Sequence, residues 1–247
     1  MSTIKLTLEY EGTAYAGWQR QPNRPTIQEQ VELALFQITQ ENIPVVAAGR
    51  TDAGVHALGQ VASFHSEKLL APSKWAHALN RYLPKDIAVL KSEEVETSFH
   101  ARYSAIGKRY EYHIRLHACR SALERNRAWH LRSALDLGLM QQTIPYLLGT
   151  HDYSSFEGPR SDTKTQICSI LHMAIHQQES LLIMQIEADR FLKQMVRAIV
   201  GTLVEVGRKR RHPHELPSII QARDRRTAGE TAPPQGLYLV EVLYGIR

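Results

Sequence analysis

The hexapeptide Gly49-Arg50-Thr51-Asp52-Ala53-Gly54 holds a carboxylate between two glycines, with a guanidinium two residues before it and His56 shortly after. Three chemistries compete for it. The Gly-x4-Gly spacing is that of a phosphate loop, but such a loop continues with Lys and then Ser or Thr, whereas Val55 and His56 follow here. Without the lysine that touches phosphate, a nucleotide hydrolase is disfavoured. A plain turn is the second reading, with Asp52 bonded to nearby amides and Gly54 supplying a positive φ. The third makes Asp52 a nucleophile. A carboxylate is ionised at neutral pH and needs no general base, so it can attack an electrophilic carbon and later depart. It needs a fixed direction and a dry pocket, which a tight turn between strands can provide.

The elements around the hexapeptide fit such a mount. Thr3–Tyr10 alternates, with Ile4, Leu6, Leu8 and Tyr10 on one face, and reads as a strand. The Gly- and Pro-punctuated stretch from Glu11 to Pro25 reads as a loop carrying Arg20 and Arg24. Thr26 and Glu29 form a capping box for a helix with Ile27, Val31, Leu35 and Ile38 on its apolar face. "VVAAGR" and "GQVASFHS" are short apolar runs, so "TDAGVHAL" should connect two strands. A helix over Ser73–Tyr82 must stop before Pro84, and "IAVLKSEEV" reads as the next strand.

The second half repeats this alternation. "KRYEYHIRL" reads as a strand, with Tyr110, Tyr112 and Ile114 on one face, and Leu135–Leu148 as a helix threatened by Pro145. "ICSILHMAI" and "LLIMQIEA" read as strands around the turn "HQQES". Phe191–Val206 has strong helical periodicity with Gly207 placed to end it; a short helix near Glu215–Ala222 and the strand "GLYLVEVLY" follow. The expected fold class is α+β: two related ferredoxin-like α/β units with adjoining, mostly antiparallel sheets and an active-site cleft between them. The expected domains are residues 1–106, carrying Asp52, and 107–247.

Charge separates the two. The first 106 residues hold 10 Lys and Arg against 11 Asp and Glu, the remainder 20 against 14, within an overall net charge of +5. The excess gathers in Arg208–His212, in Arg223–Arg226 and among the arginines from Arg115 to Arg132. Such a surface concentrates polyanions and makes their binding salt-sensitive, although a solvated loop explains any single cluster about as well. Cys119 and Cys168 form neither a disulfide framework nor a CxxC motif, and "MSTIKLTLEY" alternates where a secretory signal would be continuously apolar. No apolar run reaches the ~18 residues of a membrane span. A soluble, cytoplasmic protein is expected. Cys168, His172 and His176 recur at four-residue intervals; on a strand they would share a face at spacings of about 13 Å, too far for one metal.

"GRTDAGVHALGQV" resembles the catalytic motif of the TruA-type tRNA pseudouridine synthases. "YEGTAYAGWQRQ", "TIQEQVELAL", "FHARYSAIGKRYEY", "FLKQMVRAIVGTLVEVG" and "GLYLVEV" resemble that family's other motifs, in its order, across almost the whole chain. The resemblance implies isomerisation of uridine to pseudouridine at positions 38, 39 and 40 of the tRNA anticodon stem and loop, with no cofactor and no metal. It puts the nucleophile at Asp52 and its basic partner at Arg197. Arg50 then takes part in RNA binding and in displacing the target base, and Tyr110 stacks on the uracil as a candidate acceptor of the C5 proton. Arg20 joins Tyr110 and Arg50 as a substrate-binding residue, and the family habit of working as a homodimer on the tRNA anticodon arm is implied as well. From the residues alone, Tyr110 is a strand core residue and Arg197 a snorkelling helix-edge arginine. The competing function is a tRNA-binding or tRNA-remodelling protein that does no chemistry.

Overall fold

A computed structural model describes residues 2–68, 70–161 and 163–245. Its contacts divide the chain into two compact units: residues up to Ile106 together with the segment from Tyr238 onward, and Gly107–Leu237. The final strand therefore leaves the second segment of the chain, where sequence order alone would keep it.

In the first unit, β1 (Ser2–Tyr10), α1 (Ile27–Thr39), β2 (Val46–Ala47), β3 (His56–Ser66), α2 (Lys74–Asn80) and β4 (Ile87–Val95) follow in βαββαβ order. β1 lies between β4 and β3, and β2 pairs with β3, all antiparallel. The order β4-β1-β3-β2 is the ferredoxin-like arrangement. The buried face of β1 carries Ile4, Leu6, Leu8 and Tyr10, as the alternation requires. α1 starts where Thr26 accepts a hydrogen bond from the Glu29 amide and buries Ile27, Val31, Ala34 and Leu35. The Glu29 carboxylate lies 3.9 Å from Arg20 Nε.

The second unit contains β5 (Ala105–Leu116), β6 (Trp129–Leu131), α3 (Leu137–Leu147), β7 (Gly149–Asp152), β8 (Ile167–Gln178), β9 (Leu181–Ala188), α4 (Met195–Gly207) and α5 (Leu216–Ala222). β9 pairs antiparallel with β5 and β8, β7 extends the edge, and β6 runs parallel to β5. The order β5-β9-β8 repeats that of β1-β3-β2, so the relation between the halves lies in topology. β10 (Leu237–Tyr244) pairs in parallel with β3 through Tyr238 and His56.

Three expectations need correction. α4 begins at Met195, because Gln194 adopts a left-handed φ of 59° and leaves Phe191 outside the helix. Gly207 is its last residue; the left-handed backbone that follows belongs to Lys209, with φ 60°. On β8 the pairing slips between Ile170 and His172, so Cys168 is buried while His172 and His176 are exposed. A bulge shifts the alternation by one residue, and Cys168 and His172 do not share a face.

Candidate active site

The carboxylate-bearing turn is built by two motifs that are distant in sequence. The Val55 amide donates to the Asp52 carbonyl at 3.1 Å, and Gly54 has φ 76° while Ala53 has no positive φ. This is a type II turn, whose third residue requires the left-handed backbone that glycine adopts without strain. The loop after β1 is stitched onto it. Trp18 N–H donates to the Thr51 carbonyl at 3.1 Å, Gly54 N–H to the Tyr15 carbonyl at 3.3 Å, and Gly12 N–H to His56 Nδ1 at 3.1 Å. Gly17, at φ 96°, leaves room for this approach: a Cβ there would stand 2.4 Å from the Thr51 carbonyl oxygen.

Beneath the turn, the Tyr10 hydroxyl lies 2.9 Å from Thr51 Oγ1, and Gln60 Nε2 donates to Tyr10 Oη at 3.3 Å and to the Gly49 carbonyl at 2.9 Å. Burial pushes the Tyr10 hydroxyl up to about 12, against the pull of its bonds to Thr51 and Gln60. It is a neutral strut. His56 is equally structural: it is 2% exposed, its Nδ1 accepts from Gly12, and its ring stacks on Tyr238 at 4.8 Å. Asp52 itself is half-buried.

Of the other residues expected here, Arg50 is exposed and makes no hydrogen bond or ion pair among the described residues, so its charge is available to an anion. Arg20 is engaged: its backbone N–H donates to Gln28 Oε1, and its guanidinium reaches Glu32 at 3.3 Å.

The remaining two expected residues belong to the second unit. Tyr110 on β5 is 7% exposed and stands edge-on to Phe191, with centroids 5.0 Å apart and planes at 82°. Helical periodicity places Phe191 at the start of a helix; because α4 starts later, its ring is free to shape the Tyr110 environment. Arg197 on α4 donates from Nε to the Ala232 carbonyl at 2.8 Å, and the Ala232 amide returns a bond to the Arg197 carbonyl at 3.1 Å. Tyr112 is fully buried and donates to the Pro233 carbonyl at 2.7 Å. Burial raises its pKa, with the Arg197 charge opposing.

Two of the three basic clusters, Arg208–His212 and Arg223–Arg226, are largely satisfied within the protein. Arg223 pairs with Asp152, Arg226 with Asp224, Lys209 with Asp136, and Arg211 with Glu205 and Glu215. Arg208 lies over the Trp129 ring. Arg225 donates into Gly229 and Thr231. Arg210 is exposed and has no such partner among the described residues. The number of cations ready for phosphate is smaller than the composition suggests.

A carboxylate on a rigid turn, two residues from an unengaged arginine, suits covalent or electrostatic attack on a polyanionic substrate. The family model described as tRNA pseudouridine synthase matches residues 7–104 and 144–245. A tRNA pseudouridine synthase A of Acetivibrio thermocellus is 46% identical over 244 residues, covering 99% of this chain and 100% of that protein. Another, of Shouchella clausii, is 45% identical, covering 99% and 94%. A solved H/ACA ribonucleoprotein bound to a substrate RNA containing 2′-deoxyuridine matches at TM-score 0.35 and 8% identity, over 82% of this chain and 53% of that one, a likeness too slight to carry weight. On the family match and these full-length identities, the chain belongs to the tRNA pseudouridine synthase family.

Proposed function

We propose that this protein isomerises uridine to pseudouridine at positions 38, 39 and 40 of the tRNA anticodon stem and loop, with Asp52 as nucleophile. The observation that carries the reading is the mount of Asp52: a type II turn clamped to the loop after β1 by two backbone hydrogen bonds and, just beyond it, by the Gly12 amide donating to the His56 ring. Such a mount fixes the carboxylate's direction before substrate arrives, and preorganisation of this kind lowers the barrier without cost during reaction.

The reaction conserves composition. The N1–C1′ bond breaks, the uracil turns, C5 bonds to C1′, the C5 proton is lost and N1 gains one. No electron acceptor or ATP enters the balance. Asp52 supplies the carboxylate and Arg197 its cationic partner, while Tyr110 offers a stacking face and a candidate acceptor for the C5 proton. Taking a paired base out of its stack costs a few kcal/mol. Stacking on an aromatic returns roughly 1 to 3 kcal/mol per base, so Tyr110 offsets most of it, with Arg50 filling the space the base vacates.

In this reading the first unit carries the nucleophile, and the second, besides Arg197 and Tyr110, supplies most contacts to the anticodon arm through its excess positive charge. Arg20 contacts substrate by exchanging Glu32 for a phosphate. The protein acts as a cytoplasmic homodimer without cofactor or metal. Among the described residues no helix is long and apolar enough to cross a membrane.

The test uses tRNA tritiated at uridine C5, because rearrangement through C5 must release that hydrogen. Wild-type protein is expected to release tritium from a substrate with uridine at 38 to 40. Asp52→Asn is expected to abolish release while tRNA binding stays nearly intact. Normal turnover by Asp52→Asn removes Asp52 from the mechanism, and tRNA binding by wild type without release supports the non-catalytic alternative.

A further inference from the structure

Residues Gly229–Gly236 form a strap laid along one face of α4. Arg197, Gly201 and Glu205 stand one turn apart on that face, with Thr202 beside them. The strap runs antiparallel to the helix. The Glu230 amide donates to Glu205 Oε1 at 3.3 Å, the Gly229 amide to Thr202 Oγ1 at 2.9 Å, and Ala232 exchanges bonds with Arg197. Contact is as close as backbones allow: a Cβ on Gly201 would lie 1.7 Å from the Glu230 carbonyl oxygen, and one on Gly229 2.7 Å from Thr202 Cα. At its far end the strap receives the Tyr112 hydroxyl on Pro233, and Gly236 packs on the Tyr112 ring.

Arg225 fastens the near end. Its Nη1 donates to the Gly229 carbonyl at 2.8 Å and its Nη2 to Thr231 Oγ1 at 2.7 Å. The planar guanidinium thus spans the two strap residues that flank Glu230. Burial pulls the Arg225 pKa down and the charge of Glu205 opposes it, as befits a cation used internally.

We infer that Arg225 is a positioning residue: by clamping Gly229 and Thr231 it fixes the Ala232 carbonyl that holds Arg197 Nε and so aims the Arg197 guanidinium. The inference rests on the reading of Arg197 as the partner of the nucleophile. It takes Arg225 out of the phosphate-binding set to which its place in "RDRR" would assign it. A lysine cannot reproduce the clamp, because a single ammonium lacks the fork that reaches both acceptors.

The test compares wild type, Arg225→Lys and Thr231→Val in steady-state pseudouridine formation and in amide hydrogen exchange. Arg225→Lys is expected to lower kcat by about 10- to 100-fold, the scale of a misaimed catalytic group, with KM for tRNA and its salt dependence unchanged. Thr231→Val removes one acceptor and should lower kcat less; it decides the matter if Arg225→Lys does not fold. Exchange over Gly229–Gly236 is expected to rise in both variants. Raised KM with wild-type kcat in Thr231→Val, or full rescue by lysine at position 225, would make Arg225 a charge contact and overturn the inference. Inactive wild-type protein refutes the functional reading, while the exchange data still decide the clamp: unchanged exchange in both variants overturns it.

Discussion

Gly17→Ala separates a preorganised turn from a merely flexible one. At φ 96°, a side chain at position 17 adopts a backbone conformation costing about 1 to 3 kcal/mol. Its Cβ would stand 2.4 Å from the Thr51 carbonyl oxygen, 3.0 Å from the Asp52 carbonyl carbon and 3.1 Å from the Ala53 amide. The first of these falls short of ordinary contact by about 1 Å, and all three neighbours are backbone, so no side chain can swing aside. Overpacking of this kind adds about 1 to 3 kcal/mol. The sum, about 2 to 6 kcal/mol, is a large share of the 5 to 15 kcal/mol typical of a domain, yet leaves most of that range folded. Relief by moving the turn about 1 Å would displace Asp52, and such a misplacement costs about 100-fold in rate. Urea denaturation reads the first quantity and tritium release from uridine C5 the second. Gly138→Ala is the control. That glycine lies in α3 with only Asp136 Oδ1 near, at 3.5 Å, so alanine there should stabilise by up to about 1 kcal/mol. Wild-type kcat together with a stability loss below about 1 kcal/mol in Gly17→Ala would refute the coupling of the two motifs.

Two further predictions concern titrating groups. Burial pushes the Cys168 thiol up to about 12, while Cys119 is exposed. Alkylation needs the thiolate, so at a pH of about 8 the native protein should take one iodoacetamide adduct, at Cys119, and the unfolded protein two; intact mass distinguishes them. Asp224 is held at about 2 by hydrogen bonds from the Arg226 side chain and amide. A depressed carboxyl stabilises above its unfolded value of about 3.9 and loses that contribution as pH falls through about 2. Carboxyl NMR should show the low midpoint. Because the pair is exposed, Asp224→Asn should change the urea midpoint little.

The elements that carry Asp52 were legible because their signals are local. Thr26 capping α1 and the alternation of β1 are decided within a few residues, and "IAVLKSEEV" and "LLIMQIEA" became strands with the expected bounds. β6 and β7, with three and four residues, are too short to show a period and were missed. Periodicity puts the start of α4 too early because Leu192 continues the apolar rhythm, whereas the left-handed Gln194 interrupts the backbone. Position 17 shows the same limit: sequence can mark a glycine as punctuation, but only tertiary packing reveals that it admits the Thr51 carbonyl.

Arginine is where sequence misleads most, because composition counts charge and structure spends it. Arg50 and Arg225 both sit in basic or motif surroundings, and each could be assigned to phosphate. Arg50 is exposed on the turn with no described partner, so its charge acts outward. Arg225 commits both Nη nitrogens to the strap that holds Arg197. The mid-helix Gly201 was the available signal for that strap. A glycine inside a helix costs about 1 kcal/mol relative to alanine, so its presence within otherwise strong helical periodicity implies something that a methyl group would block. That something is the Glu230 carbonyl. The face of α4 opposite its apolar stripe is therefore covered by chain, and the arginine emerging from it is held at Nε by the Ala232 carbonyl of the strap.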